Sequence, residues 1–427
     1  MDMLMVQGGR PLSGRVRVDG SKNATLPIMA TTLAVDGPVK LNNVPNLVDV
    51  RTMTQLLRSL GAKVFANDGC LEIDTRAADG VVAEYDLVRR MRASVCVLGP
   101  LLARFGAARV SLPGGCNIGH RPIDLHLRGL EALGADIRMS GGYIVAEAGT
   151  LRGADIRLDG PNGSSVTATC NVMAAAALAE GRTVIHCAAM EPEVASLAVF
   201  LNELGADIQG LGTSEIEING VQRLNGGEYS IMSDRIEAAT LAIAAAITHS
   251  TIEIDDAPVD QLTAVLAKLC EIGVEIEVTG SKLCVQAERE LQASDLTAVP
   301  YPGIPTDTQA QFMALLATVP GTSVITDRVF PDRFMHVSEL NRMGASLQRT
   351  GVSTVVQGVM SLSAAPLMAC DLRASAALLL AAIAADGESQ IRRIYHLDRG
   401  YVRLEEKLNK LGARIVRCDD AAVREQV

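Results

Sequence analysis

One phrase recurs along the chain and limits what it can fold into more than any other feature. It is an apolar residue, Gly, a residue without a polar side chain, then alternating apolar positions. It reads Leu60-Gly61-Ala62, Leu133-Gly134-Ala135, Leu204-Gly205-Ala206, Ile272-Gly273-Val274, Met343-Gly344-Ala345 and Leu411-Gly412-Ala413, with glycine intervals of 73, 71, 68, 71 and 68 residues. Each copy ends an amphipathic pattern such as Leu404-x-x-x-Leu408-x-x-Leu411. Gly after the last apolar turn is the expected left-handed cap of a helix C-terminus. Strand-like alternation follows, as in Asp136-Ile137-Arg138-Met139. Ahead of the copies stand nearly all-apolar segments, at 26–37, 98–106, 172–181, 241–250, 312–321 and 378–387. A helix apolar on every side is a buried helix. Each unit therefore reads buried helix, strand, amphipathic helix, strand.

Units of about 70 residues are too large for a thin solenoid, where repeats of about 20–50 are usual. A more economical packing is a two-domain inside-out α/β (α+β) barrel, with buried helices inside and sheets outside. The first three-unit domain is expected over 20–232. The second combines 1–19 with 233–427, the alternation Arg15-Val16-Arg17-Val18 lending it a strand. An active site is expected in the cleft between them.

Composition narrows the class. The chain is 48% hydrophobic and 21% charged, which excludes a disordered protein, and with 3% aromatics and no Trp its core must be aliphatic. A formal charge of −10 argues against nucleic-acid binding. The nine cysteines are scattered, with no C-x-x-C or H-E-x-x-H, so neither a metal nor a disulfide framework is expected. No basic stretch leads into an apolar run at the start, and no apolar run reaches the ~18 residues of a membrane span. A cytoplasmic, membrane-free protein is the expectation.

The starts of the buried helices carry the chemistry. Lys22, Arg92, Arg235 and Arg373 lie in first turns, where a cation opposes the helix dipole by about 0.3–1 kcal/mol. Four such residues at six equivalent places point to bound anions, held by dipole, free N–H groups and side chains together. The loop 112–122, with three Gly and two Pro, suits a mobile lid. Cys116 lies at its centre, where nearby Arg121 would lower a thiol's pKa. Asp307 opens a helix after a Pro-rich turn, and Arg399 precedes the last amphipathic helix; spacing alone leaves both open between function and structure. The phosphate loop, the dinucleotide fingerprint and the nucleophile elbow are all absent.

Several longer segments go further. They are Gly20-Ser21-Lys22-Asn23-Ala24, Met91-Arg92-Ala93-Ser94, Pro113-Gly114-Gly115-Cys116 and Arg121-Pro122-Ile123-Asp124-Leu125-His126, then Pro305-Thr306-Asp307-Thr308. Arg333-Phe334-Met335-His336, Asp371-Leu372-Arg373-Ala374-Ser375 and His396-Leu397-Asp398-Arg399-Gly400-Tyr401 complete the set. On these the chain resembles the enolpyruvyl transferases, and among them those acting on UDP-N-acetylglucosamine, along nearly its whole length. The resemblance implies transfer of the enolpyruvyl group of phosphoenolpyruvate to the sugar 3-hydroxyl with release of phosphate, the first committed step of peptidoglycan synthesis, without cofactor or metal.

By the same resemblance Lys22, Arg121 and Arg399 hold phosphoenolpyruvate. Asn23, Arg92, Arg121, Pro122, Ile123, Asp124, Leu125, Ser165, Val166, Thr306, Asp307 and Val329 line the nucleotide-sugar site. Cys116 is the acid that protonates the enol carbon and the target of fosfomycin. Asp307 receives or positions the hydroxyl proton, while Arg333 and Arg373 add charge around the cleft. The competing readings are another acceptor, either another nucleotide sugar or shikimate 3-phosphate, and a non-catalytic repeat scaffold.

Overall fold

Alanine decides how the interior is built. In this computed structural model, which describes residues 2–114, 123–161 and 163–420, all thirteen residues of the helix Arg235–Ile247 are buried. Its sequence is dominated by Ala, Leu and Ile. Ala loses no rotamer freedom in a helix and lets neighbouring axes approach, so a nearly aromatic-free core still closes. The helices Thr306–Leu316 and Leu372–Ala384 pack with it. Lys22–Thr31, Leu98–Phe105 and Val166–Ala176 form a second such group.

These groups belong to two compact units. One comprises 2–19 and 233–420, the other 20–114, 123–161 and 163–232. Sheets cover the helices on one plan, a four-stranded sheet for each buried helix. In the first copy the strand after the helix, Val35–Asn42, pairs parallel with Leu224–Ser230 on one side. On the other side it pairs antiparallel with Cys70–Asp74, which hairpins onto Lys63–Asn67.

The amphipathic helix between strand and hairpin ends, in every copy, at the glycine of the repeated phrase. Gly61, Gly134, Gly205, Gly273, Gly344 and Gly412 all have positive φ, from 87° to 111°. Any other residue would strain that turn.

The plan passes strands between copies. In the last sheet the position filled elsewhere by the copy's own hairpin is taken by Asp2–Gln7, which lies between Glu388–Arg392 and Arg414–Asp419. Ser13–Arg17 pairs parallel with Thr251–Asp255 in the fourth sheet. The early segment thus supplies two strands where the sequence suggested one.

A second difference concerns the second buried helix. The stretch opening at Arg92 is a 3-10 turn, Arg92–Val97, and the α-helix begins at Leu98. Pro100 explains it, because a helix begun at Arg92 would hold this proline in its interior, against the carbonyl of Cys96. From Leu98, Pro100 falls in the first turn. Among the described residues no helix is long and apolar enough to cross a membrane.

Candidate functional site

The first-turn cations do not bend away into solvent. Lys22 opens its helix at 9% exposure, with Nζ 3.5 Å from Oδ2 of Asp49, itself 3% exposed on the helix Val48–Ser59. Ser21 caps the Lys22 helix, its Oγ accepting from the N–H of Ala24. Asn23 follows half-buried, and Arg92 opens the 3-10 turn. Ser165 caps Val166–Ala176 by accepting from the N–H of Ala168 at 3.4 Å, leaving Val166 half-buried. Ile123 precedes the helix Asp124–Ala132, in which Leu125 is buried and Asp124 exposed. Cys116, Arg121 and Pro122 lie outside the described residues. The described residues of this set all belong to the unit containing 20–232.

The other unit gathers a second set around Asp307. This carboxylate is the second residue of Thr306–Leu316. Its Oδ1 accepts from Arg333 Nη1 at 2.7 Å and its Oδ2 from Arg373 Nη2 at 3.1 Å. Arg333 also donates to Thr306 Oγ1, which in turn donates to Oδ2 of Asp327 at 2.6 Å. Asp327 Oδ1 accepts from the backbone N–H of Val329 and Phe330. Burial pushes the Asp327 carboxyl up, the bonds from Thr306 and the Phe330 N–H opposing it. Thr306, Asp307, Val329, Arg333 and Arg373 therefore form one hydrogen-bonded cluster.

Arg373 is 1% exposed, a guanidinium inside the helix group. Burial opposes its charge, but Tyr401, Asp307 and Asp234 outweigh burial and hold it above its ordinary range. Its carbon stands 5.0 Å from the centroid of the Tyr401 ring, a cation–π distance. The Tyr401 hydroxyl meets Thr240 Oγ1 at 2.9 Å and accepts from Gln311 Nε2 at 3.2 Å. Asp371 caps the helix Leu372–Ala384 and lies 3.9 Å from Arg333 Nη2. Arg235, 5% exposed, opens its helix with its guanidinium carbon 5.6 Å from the centroid of the Tyr301 ring. Arg399 ends the 3-10 turn Ile394–Arg399, half-buried, in place of the loop the sequence suggested. Burial, helped by Arg399, lowers the pKa of nearby His396.

The sequence reading passed over Asp49, Thr240 and Asp327. It gave Gln311, His336, Asp371 and Tyr401 no role of their own. The available signal was a polar residue at the edge of an all-apolar stretch, where Thr240 and Gln311 stand immediately before the runs at 241–250 and 312–321. Chemically, the arrangement offers a carboxylate fixed by two guanidiniums at one helix start, and a buried lysine at another.

Comparison with known proteins agrees with the architecture. A family model described as EPSP synthase (3-phosphoshikimate 1-carboxyvinyltransferase) matches residues 6–408. The UDP-N-acetylglucosamine 1-carboxyvinyltransferase of Methylacidiphilum infernorum is 49% identical over 417 residues, covering 98% of this chain and 99% of its own. The enzyme of the same name from Desulfatibacillum aliphaticivorans is 51% identical over 417 residues, covering 98% and 100%. Among solved structures, the enolpyruvyl transferase NikO from Streptomyces tendae superposes with a TM-score of 0.88 at 26% identity, covering 97% of this chain and 98% of that one. EPSP synthase from Acinetobacter baumannii shares the fold, with a TM-score of 0.74 at 19% identity over 98% of this chain and 100% of that one. Matched over nearly its whole length in sequence and in fold, the chain belongs to the EPSP synthase family of enolpyruvyl transferases.

Proposed function

We propose that this chain transfers the enolpyruvyl group of phosphoenolpyruvate to the 3-hydroxyl of UDP-N-acetylglucosamine, releasing phosphate, as the first committed step of peptidoglycan synthesis. The observation that carries the reading is the 49–51% identity, over nearly all of both chains, to relatives bearing that activity in their names. The clustered Thr306, Asp307, Arg333 and Arg373 support it, because a weakly acidic hydroxyl needs a fixed acceptor for its proton.

In this reading the sugar hydroxyl oxygen bonds to C2 of phosphoenolpyruvate while its proton passes to Asp307. The electron pair of the double bond takes a proton from the Cys116 thiol at C3. Elimination then expels phosphate from C2 as the new methyl group returns a proton, restoring the double bond. Lys22, Arg121 and Arg399 hold phosphoenolpyruvate and offset the repulsion between two anionic substrates. Asn23, Arg92, Arg121 through Leu125, Ser165, Val166, Thr306 and Val329 receive the nucleotide sugar. Phosphate release from phosphoenolpyruvate is the test, with UDP-N-acetylglucosamine set against shikimate 3-phosphate and other UDP-sugars. Release with shikimate 3-phosphate alone would overturn the assignment.

A further inference from the structure

Resting on that function, we propose that His126 is a positioning residue for the nucleotide sugar: with Asn171 and Thr167 it fixes the mutual register of the three segments that carry Arg92, Asp124–Leu125 and Ser165–Val166. His126 and Asn171 are each 1% exposed, and neither takes part in the chemistry described above.

The protonation pattern follows from the partners. Asn171 Oδ1 accepts from the backbone N–H of Gly99 at 2.6 Å, which identifies the oxygen of the amide. Its nitrogen is therefore the atom that donates to the carbonyl of Val95 at 3.0 Å and meets His126 Nδ1 at 2.9 Å. A donor facing Nδ1 makes that nitrogen the acceptor, so the neutral ring carries its proton on Nε2. Nε2 then donates to Thr167 Oγ1 at 3.1 Å. With its oxygen accepting, Thr167 keeps its own proton for an acceptor outside the relay. Thr167 stands half-buried in the first turn of Val166–Ala176, beside Val166.

Two glycines argue that this junction is built for close approach. A Cβ at Gly99 would come within 2.2 Å of the Asn171 carbonyl oxygen, and one at Gly129 within 2.3 Å of Val172 Cγ2. Helix Val166–Ala176 is thereby seated against both Leu98–Phe105 and Asp124–Ala132. The buried relay between them tolerates one arrangement, since a slip would strand polar groups away from water.

The test is steady-state kinetics on the full chain with phosphoenolpyruvate and UDP-N-acetylglucosamine, using Thr167→Val, Thr167→Ser, His126→Phe and the Thr167→Val/His126→Phe double variant. KM for the nucleotide sugar should rise about tenfold in Thr167→Val and in His126→Phe, the scale of one buried hydrogen bond. kcat and KM for phosphoenolpyruvate should stay within about twofold, because the reacting groups are untouched. Thr167→Ser should behave as the wild type. The double variant should also lose about tenfold rather than the hundredfold of independent sites.

An unmoved KM in the single variants overturns the proposal, as does a hundredfold loss in the double variant. So does a fall in kcat with both KM values moving together, the mark of general misfolding. Should His126→Phe not fold, the Thr167 pair decides alone: Val and Ser acting alike overturns it. A wild-type chain that releases no phosphate with UDP-N-acetylglucosamine overturns the proposed function and this proposal with it, before any variant is made.

Discussion

Oδ1 of Asp307 accepts from Arg333 and Oδ2 from Arg373, so the carboxylate is held in one orientation to take the hydroxyl proton of the proposed reaction. Asp307→Asn keeps the shape but cannot take that proton. Turnover should fall by about 10²–10⁴-fold, the usual worth of a general base, with both substrates still binding by calorimetry. Near-normal turnover would reduce Asp307 to a helix-start residue. Cys116 invites a chemical test instead. Fosfomycin should label Cys116, found by peptide mass mapping, and spare Cys96 and Cys170, whose thiols burial pushes upward, Cys96 to about 12. Label on either buried cysteine would remove Cys116 from its proposed role.

His336 makes a prediction about pH. It is fully buried, neither ring nitrogen has a hydrogen-bond partner among the described residues, and burial lowers its pKa to about 4. The unfolded chain takes up this proton below about 6.5, the folded chain only below about 4. Stability should therefore decline as pH falls from 6.5 to 4, by at most about 3 kcal/mol from this residue. His336→Phe should flatten that part of the melting-temperature profile, and an identical profile would refute the assignment. The sequence exposed Lys22, Arg235 and Arg373 because a cation in a first turn breaks a local rule. It hid Tyr401 and Asp49, whose meaning comes from partners on other elements; Tyr401 is drawn to Arg373 only by tertiary packing.

Elements show the opposite balance. The repeat, the buried helices and the glycine caps were all legible, because each follows from a period or a cap within a dozen residues. The 3-10 start at Arg92 needed Pro100 to be weighed, and the exchange of strands between copies leaves no local mark at all. The glycines of the helix junctions separate two kinds of cost. Gly134 has φ of +97° with nothing near an added Cβ, so Gly134→Ala should cost about 1 kcal/mol of backbone strain. At Gly99 an added Cβ would collide with the Asn171 backbone, and Gly99→Ala should cost about 3 kcal/mol. Thermal unfolding ranks them. Equal melting temperatures would mean the Leu98–Phe105 and Val166–Ala176 helices are looser than their described contact.

At the scale of the whole chain, the two units differ in how they can be cut out. The three four-stranded sheets of the unit containing 20–232 draw every strand from that span. Expressed alone, 20–232 should melt cooperatively, whereas 233–427 without 1–19 should not, having lost a central strand and an edge strand. Adding a peptide of residues 1–19 should restore the transition; cooperative melting of 233–427 alone would refute this. The placement of Asp2–Gln7 between Glu388–Arg392 and Arg414–Asp419 also sets a schedule on the ribosome. The strand is made well before either neighbour, and the second follows roughly four hundred residues later, about 20–80 s at ordinary translation speeds. Until Glu388–Arg392 emerges it must wait, unpaired and apolar on one face, while the inserted unit emerges and folds first. Any helper that shields a nascent chain therefore has its longest task at this strand.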